Sequence, residues 1–472
     1  MGGGITGLTA ARLLADEGVR VAVLEAGPLV AGATGYTTAK VTALQRTTVS
    51  EIARRHGAER AAAYAQANRA AVDMVATLVA KDGIDCELER AAACTYTEQP
   101  DEVSAVEAEH NALREAGLHA RLDASTELPF PVAAAVWLDE QLQFHPRRYC
   151  LGLAGAVGQR GGTVHELTRV VDVDEAADGC TVTTQRGVVR AEQVVVATHL
   201  PFLHGGTYFA RAHPYRSYAM AARVVGERPK GMYISVESPT RSVRSTAEGW
   251  LVISGEGHKV GHDDDTRRRY DALEAWARKN YDVESIDYRW SAQDYESVDG
   301  VPYVGRLTDH HQRVWVATAF RKWGMSNGTA AAMMLTDLLL RRDNPWVEAF
   351  DSRRRAPKAS LKTLVSENLD VGKRFVGDRL QSRTPVEELA PGQGAIAELD
   401  GKTVAAYRDL DGTLHAVSPT CTHLGCRVAF NTAERSWDCP CHGSRFDVDG
   451  RVIEGPAVED LAAAERQAAG TE

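Results

Sequence analysis

Between residues 421 and 442 the chain reads Cys421-Thr-His423-Leu-Gly-Cys426 and then Cys439-Pro-Cys441-His442, followed by Gly443 and Ser444. Four of the eight cysteines fall in this stretch, interleaved with two histidines. Such clustering marks a metal site. The spacing is Cys-x-His, fifteen intervening residues, then Cys-x-x-His. A structural zinc site can also use two Cys and two His. Zinc fingers, however, put both thiolates on one arm and both imidazoles on the other. Here each arm carries one of each. That suits a [2Fe–2S] centre in which one iron takes two Cys and the other two His. The remaining cysteines, Cys86, Cys94, Cys150 and Cys180, are scattered and read as small buried apolar residues.

The pair CTHLGC and CPCHGS resembles the Rieske proteins of respiratory and photosynthetic cytochrome complexes. The resemblance covers roughly residues 386 to 460 and implies an all-β Rieske domain over 386–472. It implies that Cys421, His423, Cys439 and His442 are the cluster ligands. It implies a disulfide between Cys426 and Cys441, and a hydrogen bond from Ser444 to the cluster. Phe446 stands where the respiratory proteins usually carry a tyrosine, so a donor is missing and the expected potential lies below theirs. The flank Val404–Asp409, Asp411-Gly412, Leu414–Val417 reads as a hairpin.

The other end of the chain carries a second pattern. Gly2-Gly3-Gly4-Ile5-Thr6-Gly7 fits G-x-G-x-x-G. Ala10 to Asp16 is a good helix former that Gly18 should end, and Val19 to Leu24 is a short apolar strand ending at Glu25. Gly2, Gly4 and Gly7 would bring backbone close to a pyrophosphate at a helix N-terminus, and Glu25 would bind ribose hydroxyls. The strand expected before the first glycine, normally central and buried, is absent. We expect the natural protein to begin some ten or more residues upstream, unless another segment fills the gap.

Later segments extend the pattern. A hairpin within Val164 to Val189 and the apolar strand Gln193–Thr198 resemble glutathione-reductase-type FAD domains. Asp299–Gly305, Val314–Phe320, Arg321–Gly328 and the helix expected over Thr329–Leu340 resemble the D-amino-acid oxidase-like (glycine and sarcosine oxidase) family. The resemblance implies an α/β fold with FAD as cofactor. Thr34 to Lys40 would border the pyrophosphate and isoalloxazine, and Val170 would pack on adenine. Gly324, Met325 and Gly328 would open a helix whose N-terminus faces the flavin. The FAD-binding part is expected at about 1–85, 143–208 and 300–350, within an oxidoreductase domain spanning 1–350. A mixed-sheet substrate part would occupy 86–142 and 209–299, and a helical connector 351–385. Fixed packing of the Rieske domain is preferred over a swinging hinge. Arg216, Arg321 and Lys322 are candidate cations for a substrate. Lys322, two residues before Gly324, is the candidate catalytic residue; Asp294 and Tyr295 are unassigned.

The 472 residues allow about three domains. The net charge of −10 comes without a basic block, which disfavours nucleic acid as a partner. No run approaches the ~18 apolar residues of a membrane span. The expected location is the cytoplasm, free or peripheral to a membrane. The expected activity is oxidation of a small amine, amino acid or related molecule by FAD. Electrons would pass singly to the cluster, then to a redox protein or quinone-like acceptor. The reverse current, from a donor protein through the cluster to the flavin, is the alternative. A redox sensor with a vestigial flavin site is the third reading.

Overall fold

The computed structural model describes residues 1–261, 263, 265–354 and 384–464. The helical connector expected over 351–385 falls mostly on 355–383, outside the described residues. The glycine turn leads directly into the helix Ile5–Asp16, whose buried Ile5, Leu8, Ala11 and Ala15 follow helical spacing. Gly18, at φ 77°, takes the left-handed conformation that ends it. The strand Ala22–Leu24 follows and pairs in parallel with Thr163–His165. A second group pairs Val194–Val196 in parallel with Val314–Thr318, which continues antiparallel to Tyr303–Arg306.

Met1 and Gly2 lie between these two groups. The Gly2 N–H donates to the Leu24 carbonyl at 2.8 Å, and the Ala197 N–H donates to the Met1 carbonyl at 2.9 Å. Among the described residues no strand fills the position between Leu24 and Val196. The segment 163–176, where the expected hairpin begins, holds two strands in different sheets. Thr163–His165 belongs to the parallel pair, and Val170–Ala176 opens an antiparallel meander with Gly179–Thr184 and Gly187–Ala191.

The helix expected from Thr329 instead runs Gly324–Leu339. Gly328 therefore sits inside it rather than before it. A Cβ there would lie 2.6 Å from Thr6 Oγ1, so its absence is what lets this helix lie against Ile5–Asp16.

A nine-stranded mixed sheet forms the second half of the fold. Its order runs Val283–Ser297, Ala212–Val224, Leu251–Lys259, Arg241–Ser245, Met232–Ser235, Glu89–Thr97, Ala134–Gln143 and Lys40–Val41, with Arg121–Leu122 paired to Ala134–Gln143 off this path. Met232–Ser235 pairs in parallel with Glu89–Thr97, which makes the sheet mixed. Lys40–Val41, expected beside the cofactor, joins its edge.

Residues 384–464 form two four-stranded sheets. The expected hairpin appears as Lys402–Arg408 against Leu414–Val417. Trp437, Phe446, Tyr407 and Val417 pack with the four clustered cysteines in one core. The two Cys/His loops leave the ends of Leu414–Val417 and Ser436–Asp438 and fold together.

Candidate active site and metal centre

Cys426 and Cys441 are disulfide-bonded, and this tie brings the two loops together. Cys439 lies beside the bridge, the three sulfurs within 4.8 Å of one another. Cys421 and Cys439 remain buried free thiols. They interact with each other, which lowers the Cys421 pKa and raises that of Cys439; the Ser444 hydroxyl also favours the Cys421 thiolate. The His423 and His442 rings meet edge to face, centroids 5.1 Å apart. Burial, with the charges of His423 and His213, holds His442 down to about 3, so it is neutral as a metal ligand must be. Its Nδ1 is buried without a hydrogen-bond partner among the described residues. Two thiols and two imidazoles thus converge on one buried place, and an orphaned imidazole nitrogen points to a missing partner. Ser444 is fully buried and accepts the Ala457 N–H at 3.0 Å. The donor set fits a two-iron centre with mixed ligation.

A cavity of about 1140 Å³ opens over the glycine turn. That exceeds the ~300–1,000 Å³ typical of small-ligand sites, as a dinucleotide with a substrate requires. Gly2, Gly4, Glu25, Thr34, Lys40 and Val170 line it, as do Lys322, Gly324 and Met325. Gly7 stands behind the turn; a Cβ there would meet the Gly2 carbonyl at 2.0 Å. Glu25 accepts the Gly3 N–H at 2.6 Å and the Gly27 N–H at 2.9 Å, which fixes its carboxylate at the strand end. Thr34 Oγ1 accepts the Ile5 N–H at 3.2 Å at the helix N-terminus. The Lys40 ammonium donates to the Tyr233 carbonyl at 2.5 Å and to Ser242. Burial and then the charge of Arg244 hold it down to about 7. Lys40 thus ties the cavity wall to the mixed sheet. Gly328 makes helix–helix packing and is not on the cavity wall.

The three candidate cations part company. Arg216 is buried, donating to Ser291 Oγ at 2.7 Å and pairing with Asp438 of the C-terminal sheets at 3.4 Å. It belongs to an interface, not a substrate site. Arg321 pairs with Glu51 at 3.0 Å. Lys322 stands on the cavity wall, its ammonium 3.6 Å from Glu296 and 5.5 Å from the Tyr215 ring centre. Arg321 and Lys322 have φ of 52° and 68°, two successive residues in the left-handed region. Such strain persists only where neighbours over-determine it. Asp294 does so by accepting the Lys322 N–H.

Several residues to which the sequence assigned no role, Asp294 and Tyr295 among them, join the oxidoreductase fold to the C-terminal sheets. His199, just past the end of Val194–Val196, hydrogen-bonds Asp294 at 2.8 Å and Glu454 at 2.7 Å. The Tyr295 hydroxyl donates to the His442 carbonyl at 3.0 Å. Gln293 Nε2 donates to the Gly443 carbonyl at 2.7 Å. The Phe209 ring lies 5.2 Å from that of His442 and 6.2 Å from that of His423. Residues 452–458 also line the large cavity, so the C-terminal sheets form part of its wall.

Comparison with known proteins agrees with this geometry. Residues 1–338 match the FAD dependent oxidoreductase family (DAO), and residues 381–465 match the Rieske [2Fe-2S] domain. The Bacillus subtilis (strain 168) protein YhfW, assigned by name as a Rieske 2Fe-2S iron-sulfur protein, is 36% identical over 98% of this chain and 92% of its own. The cytochrome b6-f complex iron-sulfur subunit 1 of Nostoc sp. is 50% identical over 103 residues, 22% of this chain and 53% of that subunit. In fold, glycine oxidase from Geobacillus kaustophilus aligns with a TM-score of 0.63 at 18% identity, over 75% of this chain and 97% of that one. The chain belongs to the FAD dependent oxidoreductase family and carries a C-terminal Rieske domain. It is an oxidoreductase with two cofactors, FAD and a Rieske [2Fe–2S] cluster.

Proposed function

We propose that the chain is an FAD-dependent dehydrogenase of a small amine, amino acid or related substrate. Its electrons pass singly to the Rieske cluster and on to an external redox protein or quinone-like acceptor. The observation that carries this reading is a short connection between the two sites. The Lys322 N–H is held by Asp294, the next residue is Tyr295, and its hydroxyl reaches the carbonyl of His442. The flavin-facing segment and a cluster ligand are thus two hydrogen bonds and the side chains of two adjacent residues apart. When bound, FAD takes a hydride from the substrate and the cluster takes electrons one at a time, at a potential raised by its two His ligands.

The chain's own residues would divide the work as follows. Gly2, Gly4 and Gly7 let backbone approach the pyrophosphate, with Thr34 at the same helix end. Glu25 orients the ribose, and Val170 faces the adenine. Gly324 and Met325 present a helix N-terminus to the flavin ring, and Gly328 keeps that helix pressed on Ile5–Asp16. Lys322, which shares the cavity wall with Arg321 but has only a 3.6 Å approach to Glu296 where Arg321 has a 3.0 Å pair with Glu51, orients substrate or flavin. Cys421, His423, Cys439 and His442 hold the cluster, and Ser444 donates to it. The domain division at about 350 and 386 belongs to the same proposal. So does a cytoplasmic location: among the described residues no helix is long and apolar enough to cross a membrane, and four scattered cysteines are free thiols.

An anaerobic potentiometric titration of the holoprotein, followed by absorbance and EPR, tests the direction of flow. A cluster potential above that of the flavin is expected. A flavin at the higher potential would overturn the dehydrogenase reading in favour of inward current from a donor protein. Absence of bound flavin would favour the sensor reading.

A further inference from the structure

The second cluster loop is seated in a socket made by the oxidoreductase fold. Gly443, at φ 75°, comes so close to the strands Ala212–Val224 and Val283–Ser297 that a Cβ there would lie 2.7 Å from both Gln293 Nε2 and Pro214 Cβ, and 2.8 Å from Tyr295 Oη. On the other side, a Cβ on Gly261 would lie 2.3 Å from Pro440 Cβ. Gln293 supports the Tyr295 hydroxyl at 3.2 Å, and the ring of Tyr295 packs edge-on to His199 at 4.7 Å. Tyr295 is fully buried, and a second carbonyl, that of Gly455, lies 3.3 Å from its hydroxyl. Within residues 439–446 themselves, the aromatic side chain near the loop is Phe446, which has no hydroxyl to offer.

We propose that Tyr295 is a positioning residue for the Rieske cluster: its hydroxyl, donated across the domain interface to the peptide carbonyl of His442, raises the cluster's reduction potential and makes that potential depend on the docked arrangement of the two domains. The physical reason is the direction of the dipole. The proton of the hydroxyl points at the loop that carries two ligands. Reduction adds a negative charge to the cluster, and a positive dipole end aimed at the ligand peptide stabilises it. Buried in a low-dielectric interface, that dipole acts more strongly than it would in water. Iron–sulfur potentials respond to such hydrogen bonds and to solvent exposure. Phe209 serves the second factor, since its ring packs near-perpendicular to both ligand imidazoles, 5.2 Å from His442 and 6.2 Å from His423.

The proposal rests on Cys421, His423, Cys439 and His442 holding the cluster. The low average g-value of His-ligated iron in the EPR spectrum of wild-type protein tests that reading separately. The experiment uses the full-length holoprotein with Tyr295→Phe and with 3-fluorotyrosine incorporated at position 295. The phenylalanine variant lacks the donor; the fluorinated phenol is a stronger donor of nearly the same shape. Cluster potentials are measured by EPR-monitored titration, with the flavin potential as an internal reference. The expected result is a fall in the cluster potential for Tyr295→Phe and a rise for 3-fluorotyrosine, with the flavin unmoved. A purely structural role would not reverse sign between the two. Unchanged cluster potentials, or shifts of the same sign, overturn the proposal. If Tyr295→Phe does not fold with its cluster, the fluorotyrosine protein decides alone: a rise supports the proposal and no rise overturns it.

Discussion

Glu454 Oε1 lies 2.7 Å from His199 Nδ1, joining the last strand of the Rieske sheets to the end of a strand in the FAD fold. The other ring nitrogen faces Asp294 at 2.8 Å, so both nitrogens carry protons and the ring is an imidazolium. Burial opposes that charge, but the hydrogen bonds to Asp294 and Glu454 outweigh it and hold the pKa up to about 10, from an ordinary 6.5. The folded value exceeds the unfolded one. The stabilisation is therefore fully present below pH 6.5 and is lost as pH rises toward 10. Across that window this group contributes a slope of about −1.4 kcal/mol per pH unit. His199→Gln should remove the slope and cost about 2–5 kcal/mol at neutral pH, because two carboxylates are left without their cation. Denaturant unfolding at several pH values checks both.

Arg216 and Asp438 form a second tie between the domains. Both side chains are almost wholly buried. Asp438 keeps Arg445 at 3.2 Å and Asn431 at 2.9 Å when Arg216 is removed. Arg216→Met would leave Ser291, Gln293 and Asp438 facing an apolar side chain. Arg216→Met should destabilise the interface by about 1–3 kcal/mol, the cost of buried polar partners left unsatisfied while Asp438 stays paired. The expected outcome is two separated thermal transitions in place of one, seen by calorimetry, with the flavin and cluster absorbances lost at different temperatures.

Gly7 tests the cofactor cradle. A Cβ at this position would sit 2.0 Å from the Gly2 carbonyl, and that atom belongs to backbone that cannot swing aside. Gly7→Ala should force the turn away from the helix N-terminus. We expect FAD affinity to fall at least tenfold, about 1.4 kcal/mol, while the cluster's absorbance and EPR signal persist. Flavin-to-protein stoichiometry after gel filtration measures the loss.

The two cofactor motifs were legible because chemistry dictates their spacing. Ligands to one cluster must sit at set offsets on two loops, and a glycine turn must precede a helix. Of the meander Val170–Ala176, Gly179–Thr184 and Gly187–Ala191, a hairpin was legible, through the turn at Arg186-Gly187; the break that separates it from Thr163–His165 was not. Gly328 was misread as a helix boundary. Glycine is a poor helix former, and only the tertiary approach of Thr6 explains its place inside the helix. The interface was not legible at all. Tyr295 and His442 are 147 positions apart, and His199 and Glu454 are 255 apart. Single polar residues at such separations carry no local pattern. Arg216 was misjudged for the same reason, since nothing near it in sequence announces Asp438.

The Cys426–Cys441 bridge closes a loop between residues 15 apart, and both sulfurs sit in the core with Trp437 and Phe446. A bridge of that span restricts the unfolded loops by about 3 kcal/mol in the chain-entropy view. Its second role is local. The loops carrying Cys421 with His423 and Cys439 with His442 are held together by this bond, while each loop is closed on itself, by the Cys421 N–H to the Cys426 carbonyl at 2.8 Å and by the Cys439 N–H to the Ser444 carbonyl at 2.7 Å. Replacing both bridge cysteines by serine leaves the four proposed ligands in place but frees the loops to part. The expected outcome is a protein that still binds FAD and still assembles a cluster, but loses the cluster's visible absorbance faster on warming. Thiol counting on denatured, cluster-free, unreduced wild-type protein should find six free thiols, matching the six unbridged cysteines. A count of eight would remove the bridge, and with it the reason for the faster cluster loss.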